Sequence, residues 1–195
     1  VMKERDNICN YLDMPLQHIS DRMLQSMRRG ITRQKTLDLV NAIRDKVPDI
    51  ALRTTLICGY PGETEADFEE MRNWVETTRF DRLGCFTYSH EENTHAHSLE
   101  DNVPAEVKEA RVEEIMGVQQ QVSLEINQSK VGKEFKVLID RADKDYFVGR
   151  TEFDSPEVDN EVLIPMQAGD YASVGRFVNV RVDRAEEFDL YGTIV

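Results

Sequence analysis

The feature that most narrows the fold is the junction at residues 51–68, where ALRTTLIC gives way to GYPG and then to ETEADF. An apolar run this short, with so little polar alternation toward its end, reads as a strand covered on both faces in a parallel sheet. TEAD at 64–67 starts a helix: the Thr hydroxyl can accept from the N–H three residues on, and the acid there reciprocates. Phe68, Met71, Val75 and Thr78 then recur on one face, with Trp74 a simple core residue. Strand, corner and helix together make one βα unit.

A second unit precedes it and a third follows. YLDMPLQ at 11–17 reads as a strand, followed by a short helix over 21–29 capped by Ser20 and stopped by Gly30. Thr32 caps another helix, whose Leu37, Val40, Ile43 and Val47 keep helical spacing up to Pro48. RLGCFTY at 82–88 is the third strand. Pro104 opens a long helix with Val107, Ile115, Val118, Val122 and Ile126 on its expected buried stripe. Strand and helix alternating in this way predict an α/β part with parallel strands and right-handed crossovers.

After Gly132 the texture changes to short β-rich runs separated by Asp, Gly and Pro: EFKVLIDRA, YFVGRTEF, EVLIPM, GRFVNVRVDRAEEF and DLYGTIV. These predict a small five-stranded antiparallel barrel of OB-like type. The expected domains are 1–128 and 129–195. A closed (βα)8 barrel takes roughly 250 residues, so three units leave an open, partial barrel. The chain is therefore expected to be a piece of a longer protein, with an uncovered strand edge at 11–16 that leads it to self-associate or to be poorly stable.

Charge limits the partners. The 195 residues carry 37 Asp or Glu against 24 Lys or Arg, a net charge of −13. That balance repels phosphate backbones and favours basic partners. No apolar run approaches the roughly 18 residues of a membrane span, and a cytoplasmic location is expected. Cys9, Cys58 and Cys85 lack the spacing of a disulfide framework or a metal motif, and Cys58 and Cys85 read as buried, inert thiols. His90, His95 and His97 lie in a polar loop without the spacing that aims imidazoles at one point, so no metal is expected there.

In parallel α/β structures ligands bind at the C-terminal ends of strands. Gly59 and Gly62 sit at such an end, where a missing Cβ admits a ligand to the backbone or merely permits a tight turn. The following helix N-terminus suits a carboxylate or phosphate, and Glu63 can accept from an ammonium or ribose hydroxyls. Counting back from Gly59 places Ile57, Thr55 and Arg53 on one face. Arg53 needs a carboxylate, supplied either by Asp13 or by a ligand. Gln17, and the stretch from Phe86 to Tyr88, occupy the matching ends of the other two strands.

YLDMPLQHIS, MRRG, RTTLICGYPGETEADF, FTYSHEENT and the terminal β part together resemble the methylthiotransferase branch of the radical S-adenosylmethionine (SAM) superfamily. The β part is similar to a TRAM domain, and GRTEFDSPEVDNEV at 149–162 resembles the members that act on small-subunit ribosomal protein twelve, not those that modify tRNA. The resemblance implies that these 195 residues are the last three units of an open radical-SAM barrel plus the TRAM domain. It implies SAM lying along GYPGE, with Gly59, Gly62 and Glu63 as principal contacts and Gln17, Arg53, Phe86 and Tyr88 as lesser ones. It also implies two 4Fe–4S clusters, one held by a Cys-x3-Cys-x2-Cys motif and one by an N-terminal domain, and a 5′-deoxyadenosyl radical that takes hydrogen from the β-carbon of a substrate aspartate. A methylthio group is then installed there.

None of Cys9, Cys58 and Cys85 matches the cluster motif, so this chain alone is expected to be inactive and to need the missing N-terminal part of the enzyme. From residue 130 onward nine Lys or Arg face fourteen Asp or Glu, a net of −5. A tRNA-binding barrel carries a basic face, so a basic ribosomal protein is the favoured partner and tRNA the lesser one. The reading without chemistry is an OB-like module that only binds.

Overall fold

The computed structural model describes residues 1–166 and 172–195, and its chain divides into two compact units. One is Leu12–Gln119; the other joins Val1–Tyr11 to Gln120–Val195.

In the first unit three strands, β1 (Tyr11–Gln17), β2 (Ala51–Cys58) and β3 (Arg82–Thr87), form a sheet in the order β1-β2-β3. Strands β2 and β3 run parallel, with Arg53 opposite Arg82 and Cys58 opposite Thr87. The connecting helices are α1 (Asp21–Ser26), α2 (Arg33–Lys46) and α3 (Glu65–Thr78), and α4 (Ala105–Gln128) follows β3. Helix α3 starts as its sequence predicts, with a capping box between Thr64 and Asp67. The core gathers Leu52, Leu56, Phe68, Met71, Val75 and Ile115, with Trp74 edge-on to Phe80 at 5.1 Å.

Four expectations change in this unit. Strand β2 is not covered on both faces: Leu52, Thr54, Leu56 and Cys58 are buried, while Arg53, Thr55 and Ile57 are only half-buried. Helix α1 ends at Ser26, three residues early, because Arg28 and Gly30 take positive φ of 56° and 65°. Ser20 does not cap it; its hydroxyl donates instead to Asp67 at 2.6 Å. In α4 the buried line runs through Lys108, Arg111, Ile115, Gln119 and Val122, while Val107, Val118 and Ile126 are half-buried. The stripe is rotated because polar side chains find partners inside: Gln119 donates to the Phe80 carbonyl at 2.9 Å.

The second unit is a closed barrel of β4 (Glu134–Asp143), β5 (Tyr146–Arg150), β6 (Glu161–Pro165), β7 (Phe177–Ala185) and β8 (Asp189–Ile194), in the order β4-β5-β6-β8-β7. It is not wholly antiparallel: β6 and β8 pair in parallel, Val162 opposite Leu190. An odd number of strands cannot alternate direction all the way round a closed ring, so one parallel pairing is unavoidable. Val137, Ile139, Val162, Ile164, Val180, Val182 and Leu190 fill the barrel. The last turns of α4 belong with it, since Ser123 and Asn127 donate to the carbonyls of Glu186 and Glu187. That is why the compact units divide within α4 and not at its end.

Candidate functional site

A cleft of about 580 Å³ lies at the C-terminal ends of the three strands. Its floor is the half-buried face of β2, Thr55 and Ile57, and its walls include Gln17, Tyr60, Phe86, Tyr88 and Arg29. The volume is within the range of small-molecule sites, and the mixture of apolar and aromatic walls with few polar groups is typical of them.

The sequence candidates separate into two sets. Gln17, Phe86 and Tyr88 line the cleft; Gly59, Gly62, Glu63 and Arg53 stand behind it. Gln17 has a positive φ of 72°, which ends β1 and breaks its alternation. Its Oε1 is buried and has no hydrogen-bond partner, an unsatisfied acceptor on a residue that lines the cleft. Phe86 keeps 59% of its surface exposed. Tyr88 is held by its N–H donating to the Cys58 carbonyl at 2.8 Å and by edge-on contact with Tyr60 at 5.2 Å. Burial, with the Asp101 carboxylate beside it, pushes the Tyr88 phenol above its ordinary value.

The glycine corner is built into contacts with its own protein. Gly59 and Gly62 have φ of 75° and 82°, so the bend requires them. A Cβ on Gly59 would overlap the Lys108 stem, however, so this glycine meets a side chain of its own protein. Glu63 is fully buried, and its carboxylate accepts from Gly59 N–H at 3.0 Å and from Arg111 at 2.7 Å. The Nδ1 of His18 accepts from the N–H groups of Ile19 and Ser20, which leaves its proton on Nε2, 3.4 Å from Glu63. Gly62 N–H donates to Asn102 at 2.7 Å, and its carbonyl accepts from Arg22 at 2.7 Å. Arg53 takes the internal partner, Asp13, at 2.7 Å.

Sequence reasoning missed Tyr60, Lys108 and Arg111. Lys108 is buried; its ammonium meets both oxygens of Asp101 at 2.7 Å and lies 5.0 Å over the Tyr88 ring. Arg111 pairs with Glu63 and Glu65 and covers the Phe68 ring at 5.2 Å. For Lys108 and Arg111 the available signal was their spacing from Ile115, which puts these three α4 residues on one helix face.

The cleft fits an adenosyl ligand in size and in its orphaned acceptor. The cysteines do not fit an iron–sulfur cluster. Cys9 is exposed, Cys58 and Cys85 are buried with their sulfurs 3.4 Å apart, and among the described residues no group of three or more His, Cys, Asp or Glu could hold a metal. No helix among the described residues is long and apolar enough to cross a membrane.

Residues 1–75 match the radical SAM superfamily and residues 131–195 the TRAM domain. The chain is 58% identical over 192 residues to the ribosomal protein uS12 methylthiotransferase RimO of Christiangramia forsetii, covering 98% of this chain and 42% of that protein. With the protein of the same name from Bacteroides fragilis it shares 55% over 196 residues, covering 100% and 45%. The chain thus spans less than half the length of these curated relatives. In structure it is similar to coproporphyrinogen III oxidase (HemN) of Escherichia coli, a radical SAM enzyme, with a TM-score of 0.50 and 23% identity over 58% of this chain and 27% of that one, which supports the fold. The chain thus carries a radical SAM match and a TRAM match and is RimO-like along its whole length.

Proposed function

We propose that this chain works in a radical SAM methylthiotransferase that places a methylthio group on the β-carbon of an aspartate in ribosomal protein uS12. The observation that carries the reading is the cleft at the strand ends, with the unpartnered Gln17 Oε1 in its wall. When bound, SAM would supply the sulfonium chemistry of radical formation and the methyl group. The chain's own residues do the holding. Ile57, Tyr60, Phe86 and Tyr88 offer apolar and aromatic surface that excludes water, and Gln17 offers an acceptor to an N–H or O–H of the ligand. Gly59, Gly62 and Glu63 shape the bend that carries Tyr60 into the wall, with Arg111, His18 and Lys108 fixing it from behind.

The two 4Fe–4S clusters of the family pattern need ligands other than Cys9, Cys58 and Cys85. The isolated chain therefore does not turn over. Its TRAM domain, with a net charge of −5 from residue 130 onward, suits a basic ribosomal protein better than tRNA. The whole functions in the cytoplasm, where ribosomes are.

The test is reconstitution of the complete gene product with iron and sulfide, followed by mass spectrometry of uS12 after incubation with SAM and a reductant. A gain of one methylthio group on an aspartate supports the reading. Modification of tRNA in place of the protein would overturn the substrate, and failure to bind SAM would overturn the cofactor.

A further inference from the structure

We propose that Arg29 receives a carboxylate in the cleft and so helps decide which ligands the site accepts; this rests on the cleft being the ligand site. Among the described residues that line it, Arg29 is the only Arg or Lys. Four other cations near these strand ends meet carboxylates: Arg22 meets Asp67, Arg53 meets Asp13, Lys108 meets Asp101, and Arg111 meets Glu63 and Glu65. Arg29 donates to the Pro15 carbonyl at 2.7 Å and has no carboxylate partner among the described residues.

The backbone holds it in place. Arg29 N–H donates to the Leu24 carbonyl at 2.9 Å, and the positive φ of Arg28 and Gly30 turns the chain on either side. One guanidinium donor is used by Pro15, and the rest of the planar fork matches the two oxygens of a carboxylate. Glu91, the one acid in the lining, already accepts from the Ser89 hydroxyl at 2.5 Å. The carboxylate has two possible sources that share this chemistry: the amino-acid end of the cofactor, or an acidic side chain of the protein substrate.

Calorimetry on the complete gene product separates them. S-adenosylhomocysteine carries the carboxylate and methylthioadenosine lacks it; an acidic uS12 peptide is the third titrant. Replacing Arg29→Gln should weaken one carboxylate-bearing titrant about tenfold, with Arg29→Lys intermediate. Thermal midpoints should be unchanged, since Arg29 is exposed. Loss confined to S-adenosylhomocysteine assigns the cofactor carboxylate, and loss confined to the peptide assigns the substrate. Unchanged affinity for both overturns the role of Arg29. A wild-type protein that binds neither nucleoside instead overturns the SAM reading, while the peptide titration still tests Arg29 by itself.

Discussion

The side chain of Lys108 occupies the space that a Cβ on Gly59 would need. Gly59 is therefore constrained twice, by its φ of 75° and by a buried lysine stem from α4. Replacing Gly59→Ala should destabilise the protein by about 2–4 kcal/mol, from left-handed strain plus overpacking. Urea denaturation measures it. In a double-mutant cycle with Lys108→Ala part of the loss should be recovered; fully additive losses would contradict the overlap.

Glu63 and Arg111 form an ion pair away from solvent, their side chains 0% and 8% exposed. Removing one partner strands the other charge, so Arg111→Met should cost about 3–5 kcal/mol. Glu63→Gln should cost less, because the amide oxygen still accepts from Gly59 N–H. Chemical denaturation of both variants checks the order, and equal losses would count against it.

Asp67 makes stability depend on pH. Burial pushes its carboxyl up, but hydrogen bonds from Arg22, Ser20 and Thr64 outweigh burial and hold it well below the usual carboxylate range. A depressed folded value means that the stabilisation is complete above the unfolded value of about 3.9 and is lost as pH falls below it. The urea midpoint should drop between pH 5 and pH 2 in wild type, and by less in Asp67→Asn. An identical drop in both would remove Asp67 from the account.

The three thiols should react in two classes. Cys9 is exposed, while Cys58 and Cys85 are buried, and the contact with Cys85 followed by burial pushes the Cys58 thiol up. A disulfide reagent should titrate one thiol quickly in the native protein and the other two only on unfolding. Fast reaction of all three would show that the β2–β3 pair opens readily.

Gly149 and Gly192 hold matching places in the barrel. Gly149 faces Ile139 and Gly192 faces Val182, each beside a register shift, and a Cβ on either would strike a backbone carbonyl of the neighbouring strand, Leu138 or Arg181. Either change to Val should unfold the barrel. Hydrogen exchange should then show lost protection in β4–β8 while β2 and β3 keep theirs; retained barrel protection would argue that the strands spread to accept the side chain.

Much of the fold was legible locally. Thr64 and Asp67 announce the start of α3, and Phe68, Met71 and Val75 its buried face, because capping and helical periodicity depend only on near neighbours. The open face of β2 was not legible from ALRTTLIC, since a strand's composition does not say whether its second face meets helices or a cleft. The displaced stripe of α4 was hidden for the same reason. The burial of Lys108 and Arg111 depends on Asp101, Glu63 and Glu65, which other segments bring to them.

The amino-acid order alone determined the βα alternation, the switch to β-rich texture after Gly132 and the motifs that carry the family resemblance. Tertiary structure decided which candidates reach the cleft: Gln17, Phe86 and Tyr88 line it, while Gly59, Glu63 and Arg53 are engaged by Lys108, Arg111 and Asp13. It also decided the parallel β6–β8 pairing, which follows from closing five strands into a ring. Periodicity and capping are properties of adjacent residues. Charge pairing, shape exclusion and ring closure arise only when distant segments share the same space.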